Sequence, residues 1–168
     1  VDDRSTDGSV AIMERLSKLY TIKIHQKQGK LGKAYSILEG AKLASNEWIV
    51  MLDADLQYAP EAIPAMVEIA ASHGVVVANR KTYKGSLLRR ILSRTNAFVF
   101  GKLLFGLSAD IQSGLKLFRK DILDHIDPNT VKPWALDIPL LSTARELGYS
   151  IGSVDITFEL RSGGTSKI

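Results

Sequence analysis

The chain breaks into short apolar runs separated by amphipathic stretches, and one run constrains the fold most. Trp48–Leu52 is continuously apolar and is followed at once by Asp53-Ala54-Asp55. A run that short and uninterrupted fits a strand covered on both faces, as in a parallel sheet. Residues 75–78 repeat the pattern, and residues 115–118 and Ile151–Phe158 are further strand candidates. Residues 20–25 alternate and also read as a strand, and Val1 reads as the last residue of another. Between the runs lie helical spacings, such as Val10, Ile12, Met13, Leu16 and Leu19 within residues 8–19. Residues 33–44 and 137–147 read as helices, Pro60 fits the first turn of one that Gly74 ends, and residues 86–105 read as a longer helix. Strands alternating with helices predict an α/β domain with a mixed, mostly parallel sheet flanked by helices.

The 168 residues suit one domain, and no internal repeat or linker divides them. With 45% hydrophobic and 24% charged residues, the chain has a globular balance, which excludes disorder, collagen and coiled coil. Cysteine is absent, so disulfides, zinc–thiolate sites and thiol nucleophiles are excluded. No apolar run reaches the length of a membrane span. The net charge of +4 favours an anionic partner, but no recognition motif accompanies it, so nucleic acid is not expected. The chain lacks an initiator Met and opens on an acidic turn, and it is read as a piece of a longer protein.

Two acidic turns carry the chemistry. Asp2, Asp3 and Asp7 crowd the entry to the first helix. Asp7 or Ser9 can cap that helix. A cap does not explain Asp2 beside Asp3, whose repulsion a ligand with ribose hydroxyls or a base N–H would offset. Asp53 and Asp55 lie two residues apart after a buried strand, so both carboxylates project together from its carboxyl end, where open α/β sheets bind ligands. Hard oxygens of this kind suit Mg²⁺ or Mn²⁺ with a substrate phosphate, and Gln57 can add a third oxygen. The competing reading is a solvated acidic turn.

Further residues point to an anionic substrate. Arg80 follows the run at 75–78 and is placed to face a diphosphate. Residues 161–167, Arg-Ser-Gly-Gly-Thr-Ser-Lys, combine close backbone approach with a forked and a point cation, as a phosphate binder does, or else form a polar tail. Between Glu68 and Asp110 there is no acidic residue, while Arg80, Lys81, Lys84, Arg89, Arg90, Arg94 and Lys102 interleave with Leu, Ile and Phe. That is the composition of an interfacial helix on a membrane surface, or of an ordinary surface helix. Residues 27–33 lack the Walker spacing and read as a loop into a helix bordering a nucleotide pocket. Residues 110–118 and 134–141 place Asp110 and Asp137 beside strand and helix starts, where they also read as caps or turns. The three histidines lie in no motif and read as structural or surface residues.

The order Val1-Asp2-Asp3-x-Ser5-x-Asp7-Gly8-Ser9, Asp53-Ala54-Asp55-Leu56-Gln57 and Asp110-Ile111-Gln112-Ser113-Gly114-Leu115-Lys116-Leu117-Phe118 resembles family 2 glycosyltransferases. Within that family it is most similar to the polyprenyl-phosphate branch, the dolichyl-phosphate mannose and glucose synthases. The resemblance implies a GT-A (Rossmann-like) fold, with residues 1–168 a partial catalytic domain lacking the family's first strand. It implies a nucleotide diphosphate sugar donor of the UDP-Glc or GDP-Man type, with Asp2 and Asp3 near the nucleoside. Asp53 and Asp55 then hold the metal on the diphosphate beside Gln57. Gln112, Ser113 and Gly114, with Arg161, Ser166 and Lys167, line the acceptor side. The implied reaction is an inverting transfer of a hexose to a polyprenyl phosphate, with the enzyme peripheral at the cytoplasmic face of a membrane. A phosphate acceptor is already anionic and needs no general base. If a base is needed, Asp137 or Asp110 supplies it. The alternatives are a transferase acting on a saccharide or glycolipid hydroxyl, and a silent module that binds a membrane or partner.

Overall fold

The structure, a computed structural model, describes residues 1–55, 57–83, 110 and 112–158. The expected helix at 86–105, its basic residues, and Arg161, Ser166 and Lys167 lie outside the described residues. Helices are α1 (Ser9–Ser17), α2 (Lys33–Leu43), α3 (Ile63–Ala70), α4 (Asp121–Asp124) and α5 (Asp137–Glu146). Strands are β1 (Trp48–Leu52), β2 (Val75–Tyr83), β3 (Leu115–Arg119) and β4 (Ile151–Phe158).

The strands form one sheet in the order β1-β3-β2-β4. β3 runs antiparallel to both β1 and β2, while β2 and β4 are parallel. Three strands therefore share a direction, as expected, and β3 runs against them. Side-chain alternation sorts β2 and β3 onto two faces. Val75, Val77 and Phe118 pack with Ala34, Leu38, Leu140, Leu141 and Ala144 under α2 and α5. Val76, Ala78, Leu115 and Leu117 pack with Met66 and Ala70 of α3 on the other face. A sheet covered on both faces explains the unbroken apolar run of β2, whose Val75, Val76, Val77 and Ala78 are all buried. In contrast β1, expected to be buried, lies at the edge of the described sheet, with only Met51 buried and Val50 and Leu52 exposed.

One expectation fails near the start. The segment at residues 20–25 forms no strand; it leads into one parallel bridge, Gln26 with Asp2. Its backbone bonds to the N-terminal turn run only from Asp2 N–H to His25 O (2.8 Å) and from Lys27 N–H to Asp2 O (2.9 Å). Alternation predicts a strand only where a neighbour completes the ladder. Helix α1 buries none of its residues, and Ile12 is 52% exposed. Its apolar spacing is real, but no described element covers it. Pro60 begins a 3-10 turn, Pro60–Ala62, that leads into α3.

Candidate active site

The second acidic turn follows β1 directly. β1 delivers Asp53, whose N–H donates to Gly114 O at 3.0 Å. A Cβ at Gly114 would stand 2.1 Å from Asp53 Oδ2, so a larger residue in the loop before β3 would force this carboxylate to move. Asp55 Oδ1 accepts the Gln57 N–H at 3.2 Å, which folds the turn back on itself. Tyr58 lies beneath, 4% exposed, edge-on to Phe158 with ring centroids 5.1 Å apart. Burial pushes its hydroxyl up to about 12, against the pull of Arg80.

The loop before β3 is held by charge. Arg80 Nε donates to Asp110 Oδ2, and the guanidinium stacks 5.1 Å from the Phe158 ring. Arg80, expected to face a diphosphate, pairs here with Asp110. Asp110 also accepts the Gln112 N–H (3.3 Å), which makes the turn the sequence offered as its alternative reading. Ser113, expected toward the acceptor, is 1% exposed and bonds the backbone of Leu115 in both directions. Gln112 is exposed.

Lys116 was absent from the expected site, although a lysine between Leu115 and Leu117 breaks the apolar run of a core strand. It is completely buried on the α5 face, and burial lowers its pKa against the opposing pull of Asp137. Its Nζ donates to Ser113 O and, at 2.6 Å, to Asp137 Oδ1 at the start of α5. A buried ammonium without an anion is costly, so Asp137 is fixed here by Lys116. Asp110, Ser113, Gly114 and Asp137 therefore form one connected group.

Asp2 and Asp3 occupy a second corner. Asp2 is buried, and its hydrogen bonds with Ser5 hold the carboxyl below the ordinary carboxylate value. Burial pushes Asp3 up, but bonds from Lys27 and Gly32 outweigh it and leave a net lowering. Gly32 N–H donates to Asp3 Oδ2 at 2.7 Å. Lys27, fully buried, lies 2.7 Å from Asp3 Oδ1 in an ion pair, although that oxygen has no well-aligned hydrogen-bond partner. Lys27 also donates to Gly32 O and Ser36 Oγ, both at 2.9 Å. At the other end of the same loop, Lys33 Nζ bonds Asp53 Oδ1. Residues 27–33 therefore tie the two acidic turns together, a role no spacing rule reveals. The histidines bond Glu39, Ile69 O and Asp121 O, apart from this group.

Residues 1–127 match the profile of Glycosyl transferase family 2. The chain belongs to that family. It is 28% identical over its whole length to a dolichol-phosphate mannosyltransferase of Saccharomyces cerevisiae, spanning 67% of that protein. It is 27% identical to one of Pyrococcus furiosus and spans 49% of it. A polyprenol monophosphomannose synthase of Mycolicibacterium smegmatis is 28% identical, with 68% of its length spanned. Among solved structures, glucosyl-3-phosphoglycerate synthase of Mycobacterium tuberculosis in complex with phosphoglyceric acid aligns with a TM-score of 0.69 at 18% identity, covering 98% of this chain and 60% of that one. A mannosyltransferase of Pyrobaculum calidifontis in complex with GDP-Man and Mn²⁺ aligns with a TM-score of 0.60, covering 92% and 44%. The fold of this family 2 domain is thus the GT-A arrangement. No helix among the described residues is long and apolar enough to cross a membrane.

Proposed function

We propose that this family 2 domain transfers a hexose from a nucleotide diphosphate sugar to a polyprenyl phosphate, with inversion and with Mg²⁺ or Mn²⁺. The observation that carries the reading is Gly114 against Asp53, which sets the acceptor loop against the carboxyl end of β1. The relatives named for dolichol and polyprenol phosphate support the acceptor.

The donor set fits a hard cation in one specific way. Among the described residues no group of three or more His, Cys, Asp or Glu could hold a metal alone. Asp53, Asp55 and the Gln57 amide supply only part of a shell, which suits a cation that completes it with diphosphate oxygens and water. Bound there, the metal would neutralise charge on the departing diphosphate. The nucleoside would lie toward Asp2 and Asp3.

In the proposed step an acceptor phosphate oxygen attacks the anomeric carbon in line. The C–O bond to the nucleoside diphosphate breaks, and its electron pair leaves with the diphosphate. A phosphate nucleophile has no proton to lose at this step. Asp137 and Asp110, tied to Lys116 and Arg80, then serve to position the acceptor cleft. The basic stretch beyond Arg80 and the Arg161–Ser166–Lys167 loop would meet the lipid phosphate at a membrane surface, on the cytoplasmic side.

The test is a transfer assay with the full-length protein, a panel of UDP- and GDP-sugars, and polyprenyl phosphate against the matching alcohol. Transfer to the phosphate alone, lost with EDTA and in Asp55→Ala, is the expected result. Transfer to the alcohol would require a base and make Asp137 catalytic. Transfer only to a saccharide hydroxyl would replace the acceptor, and no transfer with any acceptor would leave a binding module.

A further inference from the structure

Lys33 sits where the proposed cation would bind. Its Nζ bonds Asp53 Oδ1, and each side chain is about one-third exposed, at 36% and 31%. One carboxylate oxygen lies against the ammonium, so a cation taking that oxygen must first displace it. The helix dipole does not explain the lysine. It is the first residue of α2, whose first turn has no acidic residue, and a cation there opposes the helix dipole. Its partner is Asp53.

The root of the side chain is rigid. Gly32, at φ 126°, lies so close to Pro133 that a Cβ would be 2.6 Å from the Pro133 carbonyl oxygen. Ala34 N–H donates to that carbonyl at 2.9 Å, and Tyr35 Oη donates to Val131 O at 2.8 Å. Gly32 N–H is held by Asp3. With the backbone pinned on both sides, only the flexible stem of Lys33 is left to move. The charge of Lys33 also reaches Lys116, where it contributes to the lowered pKa, so it belongs to the electrostatics of the whole cleft.

We infer that Lys33 is a placeholder cation: it neutralises Asp53 and competes with a divalent metal for Asp53 Oδ1. This rests on the metal reading above. The consequence is weak metal affinity in the absence of donor, so that metal and nucleotide diphosphate enter together.

The test uses Mn²⁺ alone, titrated into the protein and followed by electron paramagnetic resonance. Lys33→Met should bind Mn²⁺ about three- to five-fold more tightly than the wild type, the size expected for losing an ion pair about one-third exposed. Lys33→Arg, which keeps the charge, should stay within about two-fold of the wild type. The gain should vanish when Lys33→Met is combined with Asp53→Asn. Equal or weaker binding by Lys33→Met, with Asp53→Asn still lowering affinity, overturns the placeholder and leaves the metal reading intact. Unchanged binding in Asp53→Asn alone overturns the metal reading and the placeholder with it.

Discussion

Two lysine–aspartate pairs flank the cleft, and they are built differently. Lys33 and Asp53 are both about one-third exposed, at 36% and 31%. Lys116 is fully buried, while Asp137 is 28% exposed. Water screens the first pair and can replace either partner. The second holds an ammonium inside the sheet-facing core, where no solvent compensates it. The same chemical pair thus makes a contact that can open at Asp53 and a fixed strut at Asp137.

The largest expected effect is on turnover. Asp53→Ala should lower kcat by about 10²–10³-fold in the transfer assay, the range for losing stabilisation of a developing anion. Its effect on folding should be small, and urea unfolding checks that separation.

On the acceptor side the balance reverses. Asp137→Ala strands the Lys116 charge and should cost about 3 kcal/mol of stability. For a domain of this size that is a fall in Tm of roughly 6–12 °C, read by calorimetry. If the fall is no larger than that of Lys33→Met, the contrast between the pairs is wrong.

A finer test is pH. Lys116 has a lowered pKa in the fold. Between that value and the ordinary 10.5, the unfolded chain holds a proton that the folded chain lacks, so stability rises with pH across the window. Below the window both states are protonated and the cost of burying the charge is carried in full. Lys116→Met should therefore flatten the rise in urea midpoint toward alkaline pH, while Lys33→Met should leave it in place. The smallest effect is on the stability of Lys33→Met itself, expected within about 1 kcal/mol of the wild type by chemical denaturation.

Much of this architecture was legible in the residues. Apolar runs located β1 and β2, but of the two only β2 is buried on both faces; β1 is an edge strand of the described sheet, and β4 alternates buried and exposed positions. The placement of Asp53 and Asp55 just past β1 was legible because they follow that run directly. Residues 20–25 misled because alternation records sidedness, while a strand also needs a neighbour. The pairing of Arg80 with Asp110 was not legible because the partner lies thirty positions away in sequence. Lys33, Lys27 and Lys116 were missed for a related reason. A lysine is ordinary on a surface, and only the fold shows which ones are buried or aimed at a carboxylate. Lys116 alone left a signal, a charge in the middle of an apolar strand.

The contact between Gly114 and Asp53 has a consequence for timing. Close packing leaves no slack between the two residues, so neither can shift without the other registering it. A carboxylate drawn toward an arriving donor would tug directly on the loop that carries Asp110 and ends at the lysine strut. If donor and acceptor bind as proposed, each would register the other's arrival through this one junction, a backbone hydrogen bond beside a close approach, and an added methyl at Gly114 would disturb both at once.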